Sequence, residues 1–128
     1  MVWPCASHRI TSYFGYRNRP TAGASTYHKG IDIGAPKGTA IYAADSGTVT
    51  EAGYSSSRGN YIVISHGGGI STVYMHCSAL YVSRGAGVSK GQTIAAVGST
   101  GISTGPHLHF GISYNGTYVN PANYVNLY

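Results

Sequence analysis

An all-β domain, mostly antiparallel sheets forming a groove with very little helix, is what this sequence predicts. Nineteen glycines and twelve tyrosines in 128 residues favour strands and tight turns. Short apolar runs bounded by glycine recur along the chain. No segment keeps apolar residues at helical spacing for three turns without a glycine or a β-branched run interrupting it.

The strands follow in order. Residues 10–14 combine β-branched and aromatic side chains and stop at Gly15. Gly30-Ile31-Asp32-Ile33 alternates apolar with polar and ends at Gly34, residues 40–43 form a short apolar run, and residues 48–52 lie between Gly47 and Gly53. Residues 60–65 and 71–76 are two more strands, and the clearest hairpin joins residues 61–65 to 70–74, because Gly67-Gly68-Gly69 between them supplies positive φ angles. Residues 93–97 lie between Gly91 and Gly98, and residues 107–112 follow Pro106 and run toward a second turn at Asn115-Gly116. Pro36, Pro106 and Pro121 punctuate the strands.

The length and a hydrophobic content of 42% suit a single domain over residues 1–128, with residues 1–9 as an amino-terminal extension. No run of eighteen apolar residues exists, so no membrane span is expected, and the first residues lack the pattern of a signal peptide. An extracytoplasmic location then requires an export signal outside this chain. The net charge of +5 points to a polyanionic neighbour. The basic residues are scattered singly with no run and argue only weakly between nucleic acid and an anionic cell envelope surface; taken with the motifs below, the envelope and not nucleic acid is the expected partner. Cys5 and Cys77 are a possible disulfide, whose long loop would contribute roughly 4 kcal/mol.

Candidate chemistry starts from Asp32, one of three carboxylates, four residues after His28. His107-Leu108-His109 lies far downstream and His76 between them. Along a strand side chains alternate, so His107 and His109 share one face while Leu108 and Phe110 enter the core. By the same rule His28 and Asp32 share a face opposite Ile31 and Ile33, and Tyr74 sits with His76, opposite Cys77. One Zn2+ per chain is the natural occupant of such a cluster, since catalytic zinc takes three protein nitrogens or oxygens. Four histidines and one aspartate are five candidates for three places.

Several motifs, in order, resemble the LytM and lysostaphin type of zinc endopeptidase, peptidase family M23, which cuts peptides in bacterial peptidoglycan. They are Ser12-Tyr13-Phe14-Gly15-Tyr16-Arg17, the segment His28 to Asp32, Tyr74-Met75-His76, residues 85–98, and residues 101–110 ending in Gly105-Pro106-His107-Leu108-His109-Phe110. The resemblance implies that His28, Asp32 and His109 are the zinc ligands and that His76 and His107 are catalytic. It makes Arg17 a candidate substrate contact, joined by Tyr74 from its expected place in the groove beside His76. A peptidoglycan peptide is the implied partner. The zinc would polarise the scissile carbonyl and lower the pKa of a water toward roughly 7. Glu51, the only glutamate, has no motif around it, so proton transfer passes to His76 and His107 jointly, and activity should fall in acid. Residues 18–27 and 53–59 should wall the groove, and His8 and His66 are expected at the surface or in turns.

Three other readings compete. Gly101-Ile102-Ser103-Thr104-Gly105 matches the G-x-S-x-G pattern of serine hydrolases, but a strand rather than a helix is expected after it. Residues 46–49 and 88–94 suggest a biotinyl or lipoyl carrier with Lys90 modified, which leaves the metal-type residues unexplained. A non-catalytic wall-binding or protein-interaction module of the same fold is the third.

Overall fold

The computed structural model describes residues 1–16, 27–101, 103 and 105–125. Twelve strands appear among them: β1 (Arg9–Ser12), β2 (Gly15–Tyr16), β3 (Tyr27–His28), β4 (Ile31–Gly34), β5 (Ala40–Tyr42), β6 (Gly47–Ser55), β7 (Gly59–Gly67), β8 (Ile70–Leu80), β9 (Gly87–Val88), β10 (Thr93–Val97), β11 (His107–Tyr114) and β12 (Thr117–Val119). The only helical element among the described residues is a 3-10 turn, Pro121–Asn123, started by a proline and capped where the Asn120 side chain accepts from the Ala122 N–H.

Ten strands form one antiparallel sheet in the order β1-β4-β11-β8-β7-β6-β9, with β12 on β11 and β10 joined to both β8 and β5. The β2–β3 pair stands apart. The expected hairpin closes as Gly67, Gly68 and Gly69, all at positive φ, turn β7 into β8. Asn115 and Gly116, also at positive φ, turn β11 into β12, the pattern of a type I′ hairpin.

Alternation along the strands separates core from groove. Leu108, Phe110 and Ile112 of β11 are fully buried, as are Ile33 of β4 and Ile62 and Ile64 of β7, while His107 and His109 stay half-buried on the opposite face. Each such aliphatic or aromatic side chain contributes on the order of 1.5–3 kcal/mol by leaving water. The first residues belong to the same body. Trp3 and Cys5 join the core, and β5 and its flanks are laced to residues 2–6 by Val2 N–H to Ala44 O, Tyr42 N–H to Pro4 O and Ala6 N–H to Ala40 O.

β8 breaks alternation next to the groove. Residues 70–75 pair with β11, and residues 77–80 pair with β10. At the change of partner His76 adopts φ +66°, one of two non-glycine residues at positive φ among those described. Against β7 the register slips by one residue here, since Asn60 faces Cys77 but Ile62 faces Tyr74. This is a β-bulge, which re-aims a side chain at the cost of local strain.

The bulge corrects the expected place of Tyr74. Tyr74 points into the core against Phe110, and its relative exposure is 0%. Its hydroxyl accepts from the Ala44 N–H at 3.0 Å and lies 2.8 Å from Thr72 Oγ1, which lies 2.8 Å from His66 Nε2. His66 Nδ1 is 2.8 Å from the Ser46 carbonyl, which can only accept. A neutral His66 therefore donates from Nδ1 and accepts at Nε2, so Thr72 donates to His66 and Tyr74 to Thr72. Every polar atom of the chain is matched, and burial pushes the Tyr74 phenol up to about 12. Tyr74 is a core residue and not a substrate contact, and His66 anchors this chain instead of standing free.

A second correction concerns the cysteines. Cys5 and Cys77 are separate buried free thiols and form no bridge. Cys5 lies against Ile41 of β5, whereas Cys77 pairs with Asn60 of β7 and Val97 of β10. Burial pushes both thiols up, Cys77 to about 12, so they are protonated and inert at neutral pH.

Candidate metal centre

Four strands aim polar side chains at one point. His28 ends β3 and Asp32 lies in β4, with the tight turn Lys29-Gly30 between them. Register places Asp32 directly opposite His109 across the β4–β11 pair. A β-carbon on Gly30 would meet the Phe110 carbonyl oxygen at 2.5 Å and His109 Nε2 at 2.9 Å, so only glycine lets the turn pass over β11.

Three donor atoms converge. His28 Nε2 lies 3.3 Å from Asp32 Oδ1, His109 Nδ1 lies 3.1 Å from the same oxygen, and the two nitrogens are 3.3 Å apart. Metal–nitrogen and metal–oxygen bonds of about 2.0–2.2 Å place neighbouring ligands of a tetrahedron about 3.3–3.6 Å apart, so the three atoms fit three corners with slight expansion. Their chemistry fits as well. His28 Nδ1 is 3.1 Å from the Tyr13 carbonyl, which fixes its proton there and frees Nε2 as a lone-pair donor. Burial would raise the Asp32 pKa, but the His109 and His28 imidazoles against its Oδ1 hold it well below the usual carboxylate range. These three residues are the group able to hold a metal ion among the described residues.

Two further imidazoles flank this trio. The rings of His76 and His107 are 4.9 Å apart, and His107 Nε2 lies 3.7 Å from Asp32 Oδ1. His76 Nδ1 is 2.8 Å from the Thr100 carbonyl, and His107 Nδ1 is 2.9 Å from the Gly105 carbonyl. A carbonyl only accepts, so each ring carries its proton on Nδ1 and presents a bare Nε2. Burial lowers the His76 pKa, the nearby His107 and His109 add to this, and the Thr100 carbonyl opposes it. At neutral pH His76 is therefore an uncharged base.

The remaining acids stand elsewhere. Glu51 is exposed on β6 and accepts from the Tyr61 hydroxyl, and Asp45 accepts from the Ser46 N–H. Ser103 does approach His107, with Oγ 3.2 Å from Nδ1, but it donates to the Gly105 carbonyl at 2.8 Å, and β11 follows it where a nucleophile elbow needs a helix. It props His107. Arg17 and residues 18–26 lie outside the described residues. His8 stacks on Trp3 with ring centroids 5.4 Å apart.

Cavities open on both sides of the metal trio. One, of about 630 Å³, reaches Asp32 and His107 past Ser7, Arg9 and Thr11. The other, of about 360 Å³, reaches His76 and His109 past Lys29, Arg58 and Tyr118. An extended chain crossing from one to the other passes Asp32, His107, His76 and His109. Thr100, Gly105, Lys29 and Arg58 were not singled out from sequence as site residues, because backbone carbonyls and isolated basic residues carry no motif signal; only the segment 53–59 hinted at Arg58.

A family model for peptidase family M23 matches residues 26–121, about three quarters of the chain, and the chain belongs to that family. Among curated relatives, the DD-carboxypeptidase/endopeptidase Mpg of Neisseria meningitidis serogroup B is 43% identical over 120 residues, which cover 94% of this chain and 28% of Mpg. The peptidoglycan DD-endopeptidase ShyC of Vibrio cholerae is 40% identical over 119 residues, covering 92% of this chain and 28% of ShyC. This chain thus spans little more than a quarter of either relative. The catalytic domain of the antimicrobial peptidase lysostaphin from Staphylococcus simulans superimposes with a TM-score of 0.81 at 34% identity, covering 91% of this chain and 90% of that one.

Proposed function

We propose that this domain is a zinc-dependent endopeptidase that hydrolyses peptide bonds in bacterial peptidoglycan and works outside the cytoplasm. The observation that carries the reading is the three-donor cluster with two Nδ1-capped imidazoles beside it, with one cavity at Asp32 and His107 and another at His76 and His109. His28, Asp32 and His109 would hold the zinc, for which two imidazoles and a carboxylate are a suitable set. When bound, the zinc supplies Lewis-acid polarisation of the scissile carbonyl and acidifies a water.

The chain's own histidines move the protons. The bare Nε2 of His76 or His107 takes a proton as water oxygen bonds to the carbonyl carbon. The imidazolium so formed hands that proton to the amide nitrogen as the carbon–nitrogen bond breaks, and it stabilises negative oxygen while it carries the charge. No carboxylate base is needed, which suits a chain whose other acids lie away from the centre. The net charge of +5 favours residence on an anionic envelope.

Purified peptidoglycan incubated with the zinc-loaded domain should release new amino termini, and chelation should abolish the release. Binding to the wall with no new termini would replace this reading by a non-catalytic wall-binding module.

A further inference from the structure

The larger cavity has a gap in its floor beside the metal trio. Asp32 and Gly34 are two apart in β4 and face the same side, so the missing side chain at Gly34 leaves the floor open next to the Asp32 carboxylate. Register puts Gly34 between Arg9 of β1 and His107 of β11, in one row across three strands. Arg9 reaches over the gap. Its Cδ and one guanidinium nitrogen lie 3.6 and 3.7 Å from where a Gly34 β-carbon would stand. The neighbouring hydroxyls are committed: Ser7 donates to the Gly34 carbonyl at 2.7 Å and Thr11 to the Asp32 carbonyl at 3.4 Å. Alanine, glycine and proline supply much of the remaining wall and bring no side-chain donor. Arg9 is exposed, and among the described residues its guanidinium has no hydrogen bond or ion pair, so its fork of N–H donors is unspent.

Resting on the peptidase reading above, we propose that Arg9 is a substrate-anchoring residue, whose guanidinium holds an oxygen acceptor of the bound peptide, a carbonyl or a carboxylate, in the space above Gly34. The anchor keeps the chain in line with His107. Two strand spacings of about 4.8 Å separate Arg9 from His107, and an extended peptide rises about 3.3 Å per residue, so the held group lies within about three residues of the scissile amide. Gly34 makes the room, because a β-carbon there would fill that space and stand 2.9 Å from the Thr11 methyl.

The test uses cross-linked peptide dimers freed from peptidoglycan by removal of the glycan strands, with the zinc-loaded chain. KM and kcat are read from new amino termini, and Kd from the anisotropy of labelled dimers in the cold, before turnover. Arg9→Gln should raise KM and Kd about tenfold, the loss of one charge-assisted contact, with kcat and zinc content unchanged. Arg9→Lys keeps the charge but not the fork and should recover only part of the loss. Lys90→Gln removes the same unit of charge from an exposed turn outside both cavities and should change neither constant. Dimers with their carboxylates converted to carboxamides separate the two acceptors: the Arg9→Gln effect disappears with them if a carboxylate is held and persists if a carbonyl is. Equal Kd for the unaltered chain and Arg9→Gln, or an equal loss in Lys90→Gln, overturns the inference. Because binding is read apart from cleavage, an Arg9-dependent Kd without new termini would count against the peptidase reading alone, and hydrolysis with an Arg9-independent Kd against the anchor alone.

Discussion

His76 is held by its neighbours in a backbone conformation that non-glycine residues seldom adopt, and one threonine does much of the holding. The Thr100 carbonyl takes the Nδ1 proton of His76 at 2.8 Å. The Thr100 hydroxyl donates to the Cys77 carbonyl at 2.7 Å and accepts from the Asn60 N–H at 3.1 Å. Thr100 is thus a positioning residue that binds the loop after β10 to both strands beside the bulge. Thr100→Val keeps the shape and removes the hydroxyl, so kcat should fall about tenfold, the effect of losing about 1.4 kcal/mol of placement, with zinc content unchanged. Thr100→Ser should restore most of the rate. Steady-state kinetics alongside metal analysis decides it, and a Val variant with undiminished kcat would remove Thr100 from the account.

At the scale of elements, what could be read from sequence was what depends on local pattern. Residues 93–97 form β10 with the expected bounds, and His107-Leu108-His109-Phe110 alternates in β11 as period two requires. A histidine and an acid at close spacing in strand context pointed to a metal-type cluster but left five candidates for three places, and only the family resemblance singled out His28, Asp32 and His109, whose donor atoms the structure brings together. The bulge was not legible. It exists because β8 leaves β11 for β10 at His76, a choice settled by strands far away in sequence, and it reversed the expected face of Tyr74. The Cys5–Cys77 bridge failed for a similar reason, since parity of cysteines says nothing about which strands the thiols join. The Lys29-Gly30 turn is the element most exposed to substitution. Gly30→Ala places a methyl group against β11 backbone and the His109 ring, so the turn must lift and spread the ligands. Zinc affinity by competition with a chelator should weaken at least about tenfold, and an unchanged affinity would show that the turn does not set the ligand geometry.

For the whole molecule, the sheet is a platform that brings distant segments to one line. β11 contributes two of the five site residues and β4 and β8 one each, while β3 of the separate β2–β3 pair brings His28, so the site exists only when the sheet and that pair come together. The cavities on either side give the line its length, and in the proposed reaction the scarcity of acids assigns the proton work to imidazole. The central claim is the division of labour: three residues hold the metal and two move protons. It is tested most directly by measuring zinc stoichiometry and peptidoglycan hydrolysis in single alanine variants. The account predicts that His28→Ala, Asp32→Ala and His109→Ala lose zinc and activity together. His76→Ala and His107→Ala should keep one zinc per chain while turnover falls by at least about a hundredfold. A His76→Ala or His107→Ala protein that loses its zinc, or keeps both zinc and full turnover, would contradict it.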